Sequence, residues 1–246
     1  MTTGLLLIHG FPLDAGMWKP QVDNLGLSMP VVAVKLPGFG GAPTTGPVTT
    51  MDAMADSAVE QARAAGLDRA IVCGLSMGGY VALALWRRHR EFVAGLVFAN
   101  TRAGADDEAG KARCLGLAER VRAEGSQVLA DNPPPLFSTH AAPALVDSMK
   151  TMMASQAAEG IAAGSAGMAE RPDSTDLLAG IDVPTLVITG DADTLIPPAA
   201  TEEMARAIPN AELHIIEGAG HMSNLEAPDQ FTLLLRDFVS SRPDWK

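Results

Sequence analysis

The stretch from residue 70 to 79, Ala-Ile-Val-Cys-Gly-Leu-Ser-Met-Gly-Gly, decides the fold prediction for this chain. Its apolar start is typical of a buried strand, and the segment that follows, 78–90, is apolar on one face and basic in its last turn, as in a helix. A serine in a sharp turn between strand and helix needs glycine neighbours, because side chains there would clash with the surrounding backbone. We therefore predict that Ser76 is a nucleophile presented at the end of a strand.

Short apolar runs of the same kind recur along the chain, and each is followed by turn residues. They occupy residues 5–8, 31–34, 93–98, 185–188 and 213–216. Uninterrupted apolar runs are typical of strands that are buried on both faces, as in a parallel sheet. Helix-like segments at 51–65, 199–207 and 228–240 lie between or after these runs. The alternation predicts an α/β fold with a mostly parallel sheet of about six strands flanked by helices.

Residues 102–176 interrupt this alternation. They are rich in Ala, Gly, Glu and Met, they contain no strand-like run, and Pro133-Pro134-Pro135 divides them. We predict a helical insertion after the fourth strand, with residues 1–101 and 177–246 forming the core domain. We expect the end of the chain, 240–246, to be frayed.

The composition argues against several classes of function. The formal net charge of the 246-residue chain is −11, and an acidic surface repels phosphate backbones and anionic headgroups, so we expect neither a nucleic-acid nor a membrane partner. The first apolar run is too short for a signal sequence or a membrane span. Cys73 and Cys114 fit neither a disulfide framework nor a metal site, and they favour a cytoplasmic location.

A serine hydroxyl needs a base, and His221 is the best candidate. It follows the last predicted strand in a glycine-rich loop, Gly218-Ala219-Gly220-His221, that can carry the imidazole back over the sheet. We expect His9 to brace the loop after the first strand instead. Asp193, in the loop after the fifth strand, is the predicted acid that orients His221. Asp191 in the same loop is expected to bond turn N–H groups.

An acyl-transfer site also needs donors for the oxyanion. The N–H of Met77, which follows the predicted nucleophile, is one candidate. The N–H of Phe11, in the loop after the first strand, is the other. Pro12 has no N–H and can only shape that loop.

These residues together resemble the α/β-hydrolase superfamily, in particular its small bacterial esterases, cofactor-free haloperoxidase-like perhydrolases and enol-lactonases. The matching stretches are 7–18, 36–40, 72–84, 183–197 and 217–228. The resemblance implies an α/β-hydrolase fold in which the insertion is a cap, and a triad of Ser76, His221 and Asp193. It implies an oxyanion hole at Phe11 and Met77, and neither a cofactor nor a metal. Related epoxide hydrolases and haloalkane dehalogenases have Asp in place of Ser76, which argues against both activities.

Family members usually begin with a β-hairpin, whereas this chain begins almost at the first predicted strand. We therefore expect residues 31–34 to lie at a sheet edge. Exposed edges invite pairing with another chain, so the protein is expected to be a monomer or a homodimer through that edge.

The resemblance implies hydrolysis of small carboxylic esters through an acyl-enzyme. Lactone or enol-lactone hydrolysis, with perhydrolysis as a side activity, uses the same triad and stays open. A ligand receptor or signalling protein derived from a hydrolase stays open as well. We expect the small-molecule substrate to contact an adaptable apolar pocket. The candidate residues for it are Trp18, Met149, Met153 and Met222, with Phe39, Met152 and Met168 as further candidates.

Overall fold

A parallel β-sheet forms the centre of the computed structural model, which describes residues 1–242 and Trp245. In this part of the chain the sheet has six strands in the order β2-β1-β3-β4-β5-β6, all parallel to their neighbours. The strands are β1 (Thr3–Ile8), β2 (Val31–Ala33), β3 (Arg69–Leu75), β4 (Val93–Ala99), β5 (Thr185–Gly190) and β6 (Glu212–Ile216). The predicted fold class is confirmed, with β2 at one edge.

Helices connect the strands. They are α1 (Lys19–Leu25), α2 (Met51–Ala64), α3 (Met77–Arg88), α4 (Glu108–Glu124), α5 (Gln127–Asp131), α6 (Pro143–Ser155), α7 (Ala158–Ala169), α8 (Pro198–Ala207), α9 (Ser223–Glu226) and α10 (Pro228–Ser240). The predicted helices correspond to α2, α3, α8 and α10. All of α4 to α7 lie within residues 102–176, between β4 and β5. The sequence analysis predicted neither α1 nor α9, and it gave no bounds for the individual helices of the insertion.

The strands differ in burial according to their place in the sheet. Every residue of β4 and β5 is buried, and β1 and β3 are buried except at their first residue. In β6 only Ile216 is buried, although Leu213, Ile215 and Ile216 are apolar. The expectation that apolar runs are buried on both faces therefore fails for β6, because it lies at the second edge of the sheet.

The topology reverses at β1. The chain places β2 on one side of β1 and then crosses to β3 on the other side. Ligands of open α/β sheets bind at such a reversal, beyond the carboxyl ends of the strands. The register brings these ends level, since Ile8 pairs with Gly74 and Leu75 pairs with Ala99. The residues that follow these strands, His9, Ser76 and Asn100, are thereby placed side by side.

The end of the chain is better anchored than we predicted. Helix α10 continues to Ser240, and the buried ring of Trp245 packs edge-on against Phe238 at 5.5 Å between centroids. Pro243, Asp244 and Lys246, to which the expectation of fraying also applied, lie outside the described residues.

Cys73 and Cys114 are both free, and burial raises the pKa of each thiol. Among residues 1–242 and 245, no helix combines the length and the apolar character needed to cross a bilayer.

Candidate active site

Ser76 occupies a strained turn between β3 and α3. Its backbone has φ 56° and ψ −117°, a left-handed φ that is unusual for a residue other than glycine. A Cβ on Gly74 would lie 2.1 Å from the carbonyl oxygen of Gly78, and one on Gly78 would lie 2.2 Å from that of Ile8. Both positions therefore require glycine. The N–H of Ser76 donates to the carbonyl of Ala99 at 2.9 Å, which fixes the turn against β4.

His221 and Asp193 form a buried pair at the carboxyl ends of β5 and β6. The imidazole Nδ1 lies 2.8 Å from Oδ2 of Asp193, and both side chains are at most 1% exposed. Oδ1 of Asp193 accepts the N–H groups of Leu195 and Ile196, each at 2.9 Å. Since a carboxylate can only accept, His221 carries its proton on Nδ1 and presents the lone pair of Nε2. The imidazole is held in the tautomer that a general base requires.

Asn100 provides a further link between the ends of β4 and β5. Its Nδ2 donates to Oδ2 of Asp193 at 3.0 Å and to the carbonyl of Gly220 at 3.3 Å. Its Oδ1 accepts the hydroxyl of Ser223 at 2.6 Å. Asn100 also adopts φ 45°, a conformation that Asn tolerates better than most residues. The amide of Asn100 thus holds Oδ2 of Asp193, while the backbone N–H groups of Leu195 and Ile196 hold Oδ1.

The loop that carries His221 is joined to the helical insertion. We call residues 133–138 the proline strap. Glu226 accepts the N–H of Gly220 at 2.8 Å and the N–H of Ser138, in the strap, at 3.0 Å. The N–H of Met222 donates to the carbonyl of Leu136, also in the strap, at 2.9 Å. Met222 is therefore bonded directly to the strap, and Gly220 is linked to it through Glu226.

The two predicted oxyanion donors lie close to Ser76. Met77 is the first residue of α3, so its N–H has no acceptor within the helix. Phe11 follows Gly10, and a Cβ on Gly10 would lie 3.5 Å from Cβ of Ser76. Within the described part of the chain, neither N–H has a backbone acceptor. Both are therefore available to a ligand at Ser76.

His9 braces the loop after β1, as expected. Its Nε2 accepts the N–H of Leu36 at 3.2 Å, and its Nδ1 lies 3.0 Å from the carbonyl of Gly10, to which it donates. The ring is fully buried and meets Phe39 edge-on at 5.4 Å. Burial lowers the pKa of His9 from 6.5 to about 4. The imidazole is thus held neutral, and both of its nitrogens are occupied.

This burial predicts a pH-dependent stability. The unfolded chain protonates His9 below pH 6.5, whereas the folded protein does so only near pH 4, so the unfolded state binds more protons in between. The contribution of His9 is therefore fully present above pH 6.5 and is lost as the pH falls toward 4, by about 3 kcal/mol. We expect the free energy of unfolding, measured with urea across this range, to fall more steeply for the native protein than for His9→Asn. Parallel curves would contradict the prediction.

Ser76 opens into a cavity of about 460 Å³ between the core and the insertion. Phe11, Leu195 and Ile196 line it from the core. From the insertion, residues of one face of α4 line it together with Ser165 and Met168 of α7. A cavity of this size is typical of a small-molecule site.

The residues predicted to contact substrate are placed elsewhere, Met168 excepted. Trp18 is fully buried and packs against Phe231, with 5.9 Å between ring centroids. Met153 lines a separate pocket of about 230 Å³ beside the proline strap. Met149 and Met222 are buried among core side chains. Trp18, Met149, Met153, Met222, Phe39 and Met152 are absent from the lining of the cavity at Ser76. These large apolar side chains are part of the core. The sequence alone did not distinguish an apolar residue of the core from one that lines a pocket.

The lining includes polar residues that the sequence analysis missed. Tyr80, Arg102 and Asp106 line the cavity, together with α4 residues at helical spacing, Gly110, Arg113, Cys114, Leu117 and Arg120. This spacing is the signal in the sequence that places the five residues on one face of α4. Which face it is depends on the packing of α4 on α7, which includes the hydrogen bond from Ser165 to the carbonyl of Cys114 at 2.8 Å.

Comparison with known proteins places this chain among hydrolases. The sequence profile of the alpha/beta hydrolase family matches residues 5–232. A pimeloyl-[acyl-carrier protein] methyl ester esterase from Aromatoleum aromaticum is 31% identical over 250 residues, covering 96% of this chain and 97% of the other. A 3-oxoadipate enol-lactonase from Acinetobacter baylyi is 30% identical over 93% of this chain and 85% of its own. A thermophilic esterase from Thermogutta terrifontis superposes with a TM-score of 0.93 at 40% identity, covering 98% of this chain and 91% of that one.

Proposed function

Since this chain belongs to the alpha/beta hydrolase family, we propose that it hydrolyses small carboxylic esters with Ser76 as nucleophile, His221 as base and Asp193 as the acid that orients it. The observation that carries the proposal is the buried bond from His221 to Asp193, formed at the same end of the sheet as the strained turn of Ser76. Similarity to a methyl ester esterase and to a thermophilic esterase supports the same activity.

The proposed reaction has two steps. Nε2 of His221 takes the proton of Ser76 while Oγ attacks the ester carbonyl, and the N–H groups of Phe11 and Met77 stabilise the oxyanion. The alcohol then leaves with the proton from His221, and an acyl-enzyme remains on Ser76. His221 next activates a water molecule, which releases the acid and restores the serine. Asp193 orients the imidazole throughout, and the hydrogen bonds that it accepts from Asn100, Leu195 and Ile196 hold it in place.

The activated serine can be tested with a fluorophosphonate probe. We expect the probe to label Ser76, as located by peptide mass spectrometry, and Ser76→Ala to remain unlabelled. Ser165→Ala is the matched control, since it removes another buried hydroxyl from the cavity lining, one that donates to the carbonyl of Cys114 and not to the proposed triad. The absence of label on folded protein would contradict the proposal and favour a hydrolase-derived receptor.

Lactone hydrolysis is the second candidate, because an enol-lactonase is 30% identical over 93% of this chain. The same residues would open a cyclic ester without releasing an alcohol. Comparing kcat/KM for enol-lactones and for simple p-nitrophenyl esters separates the two activities. Peracid formation from acetate and peroxide tests for perhydrolysis as a side activity.

The free thiols of Cys73 and Cys114 support a reducing compartment, and we propose the cytoplasm.

A further inference from the structure

The cavity at Ser76 has an unusual charge for so acidic a protein. Its lining residues include three arginines, the half-buried Arg102 and the exposed Arg113 and Arg120, and one acidic residue, Asp106. Three positive side chains face one negative one in a chain whose formal net charge is −11. A cleft lined by one sign of charge concentrates ligands of the opposite sign. The cavity is therefore expected to attract anionic ligands, although the protein as a whole is acidic.

The single carboxylate is already neutralised. Asp106 bonds Arg102 through Oδ1 and Arg171 through Oδ2. Arg171 is almost fully buried, donates to the carbonyl of Gly104 at 2.7 Å, and lies over the ring of Tyr80 at 4.0 Å. Two guanidinium groups thus share one carboxylate, which leaves this cluster positive. Nε of Arg102 is buried and has no acceptor among the described residues.

Helix α4 adds two arginines on one face. Arg113 and Arg120 are seven residues apart, which is two helical turns or about 10 Å. Arg120 contacts Glu124 only at 3.6 Å. Arg113 forms no ion pair within the described ranges 1–242 and 245, whereas Arg122, on the same helix, binds Glu159 at 3.0 Å. Arg113 is therefore a cation of the cavity wall without a carboxylate of its own.

We propose that the substrate is an ester that also carries a free carboxylate, which Arg113 and Arg102 bind while Ser76 attacks the ester carbonyl. This inference rests on the ester hydrolysis proposed above. Guanidinium binds carboxylate through two parallel hydrogen bonds, and the half-buried Arg102 is less screened by water than the exposed Arg113. In the reaction, water adds across the acyl C–O bond, the alcohol leaves with a proton, and a second carboxylate forms.

The test compares matched esters that differ in one charge. Methyl hydrogen glutarate against methyl valerate places the carboxylate on the acyl side, and 4-acetoxybutyrate against butyl acetate places it on the alcohol side. We expect the native protein to prefer the anionic member of at least one pair in kcat/KM. Arg113→Gln and Arg102→Gln should each lower that preference by about 10- to 100-fold, the effect of losing a hydrogen bond to a charged group. Arg113→Lys should retain part of it.

Arg122→Gln is the matched control, because it removes one positive charge from α4 outside the cavity lining and should leave the preference unchanged. A native protein that prefers the neutral ester in both pairs would overturn the proposal. An unchanged preference in Arg113→Gln would do the same.

A binding experiment separates this inference from the proposed function. Glutarate should bind the Ser76→Ala protein in calorimetry, more weakly as salt is added, and Arg113→Gln should lose the binding. If glutarate binds but the native protein hydrolyses no ester, the result would support the arginine site and contradict the catalytic proposal. Hydrolysis of neutral esters without glutarate binding would contradict only the arginine site.

Discussion

Replacement of Ser76 by Ala is expected to lower kcat for a carboxylic ester by about five to six orders of magnitude. The change removes the only atom that can form the acyl-enzyme in the proposed mechanism, while the His221–Asp193 pair and the oxyanion donors remain. The measurement is p-nitrophenyl ester hydrolysis at equal concentrations of folded protein. A residual kcat above about one per cent would mean that Ser76 is not the nucleophile, because background catalysis by the remaining groups is far smaller.

The strained turn provides an internal control for this variant. Ala keeps the Cβ of Ser76 and therefore keeps the strain at φ 56°. Gly relieves it, since glycine adopts positive φ without steric cost. Ser76→Gly should thus be as inactive as Ser76→Ala and at least as stable in urea unfolding. A less stable Gly variant would indicate that the side chain of Ser76 contributes packing that we have not assigned.

Asp193→Asn is expected to lower kcat by about 10⁴-fold with little change in KM. Asp193 accepts four donors, from Leu195, Ile196, Asn100 and His221. An amide cannot accept all of them, because its NH₂ group must face one pair. If the amide oxygen stays with the backbone N–H groups, the NH₂ group faces His221. The imidazole must then move its proton to Nε2, and the lone pair that would activate Ser76 is lost.

The control for this variant is Asp191→Asn. Asp191 lies in the same loop and is exposed, and among the described residues its side chain accepts only the N–H of Gly218, at 2.7 Å. The chemical change is identical, so Asp191→Asn should keep activity close to that of the native protein. Equal losses in the two variants would indicate a general effect on the loop. A loss of less than about tenfold in Asp193→Asn would contradict the tautomer argument.

The sheet and the proposed triad residues were accessible to sequence analysis because their signals are local. A run such as 70–75 carries its own burial pattern, and the spacing of Gly74 and Gly78 around Ser76 reports a backbone contact with Ile8 that only glycine permits. Asp191 also accepts a turn N–H as predicted. In each case the residue type and its immediate neighbours in the sequence are sufficient for the prediction.

The cavity was not accessible in the same way, because its lining depends on packing between distant segments. Trp18 and Phe231 meet although they are far apart in sequence, so the tryptophan lies in the core and not in the pocket. Asn100 holds Asp193 and contacts the His221 loop only because β4 and β5 are neighbours in the sheet. The arginines of α4 were overlooked because charged residues on a helix usually face solvent. Only the three-dimensional arrangement shows that Arg113 and Arg120 border a cavity.

The bonds that Glu226 and Met222 make to the proline strap limit how this enzyme can be re-engineered. The insertion is not an exchangeable module, because a graft of a foreign segment for 102–176 would remove the partners that immobilise the residues around His221. Such chimaeras would change substrate specificity and would also misplace His221, the proposed base, which would lower kcat. Libraries that vary the cavity face of α4 and preserve residues 133–138 would separate the two properties.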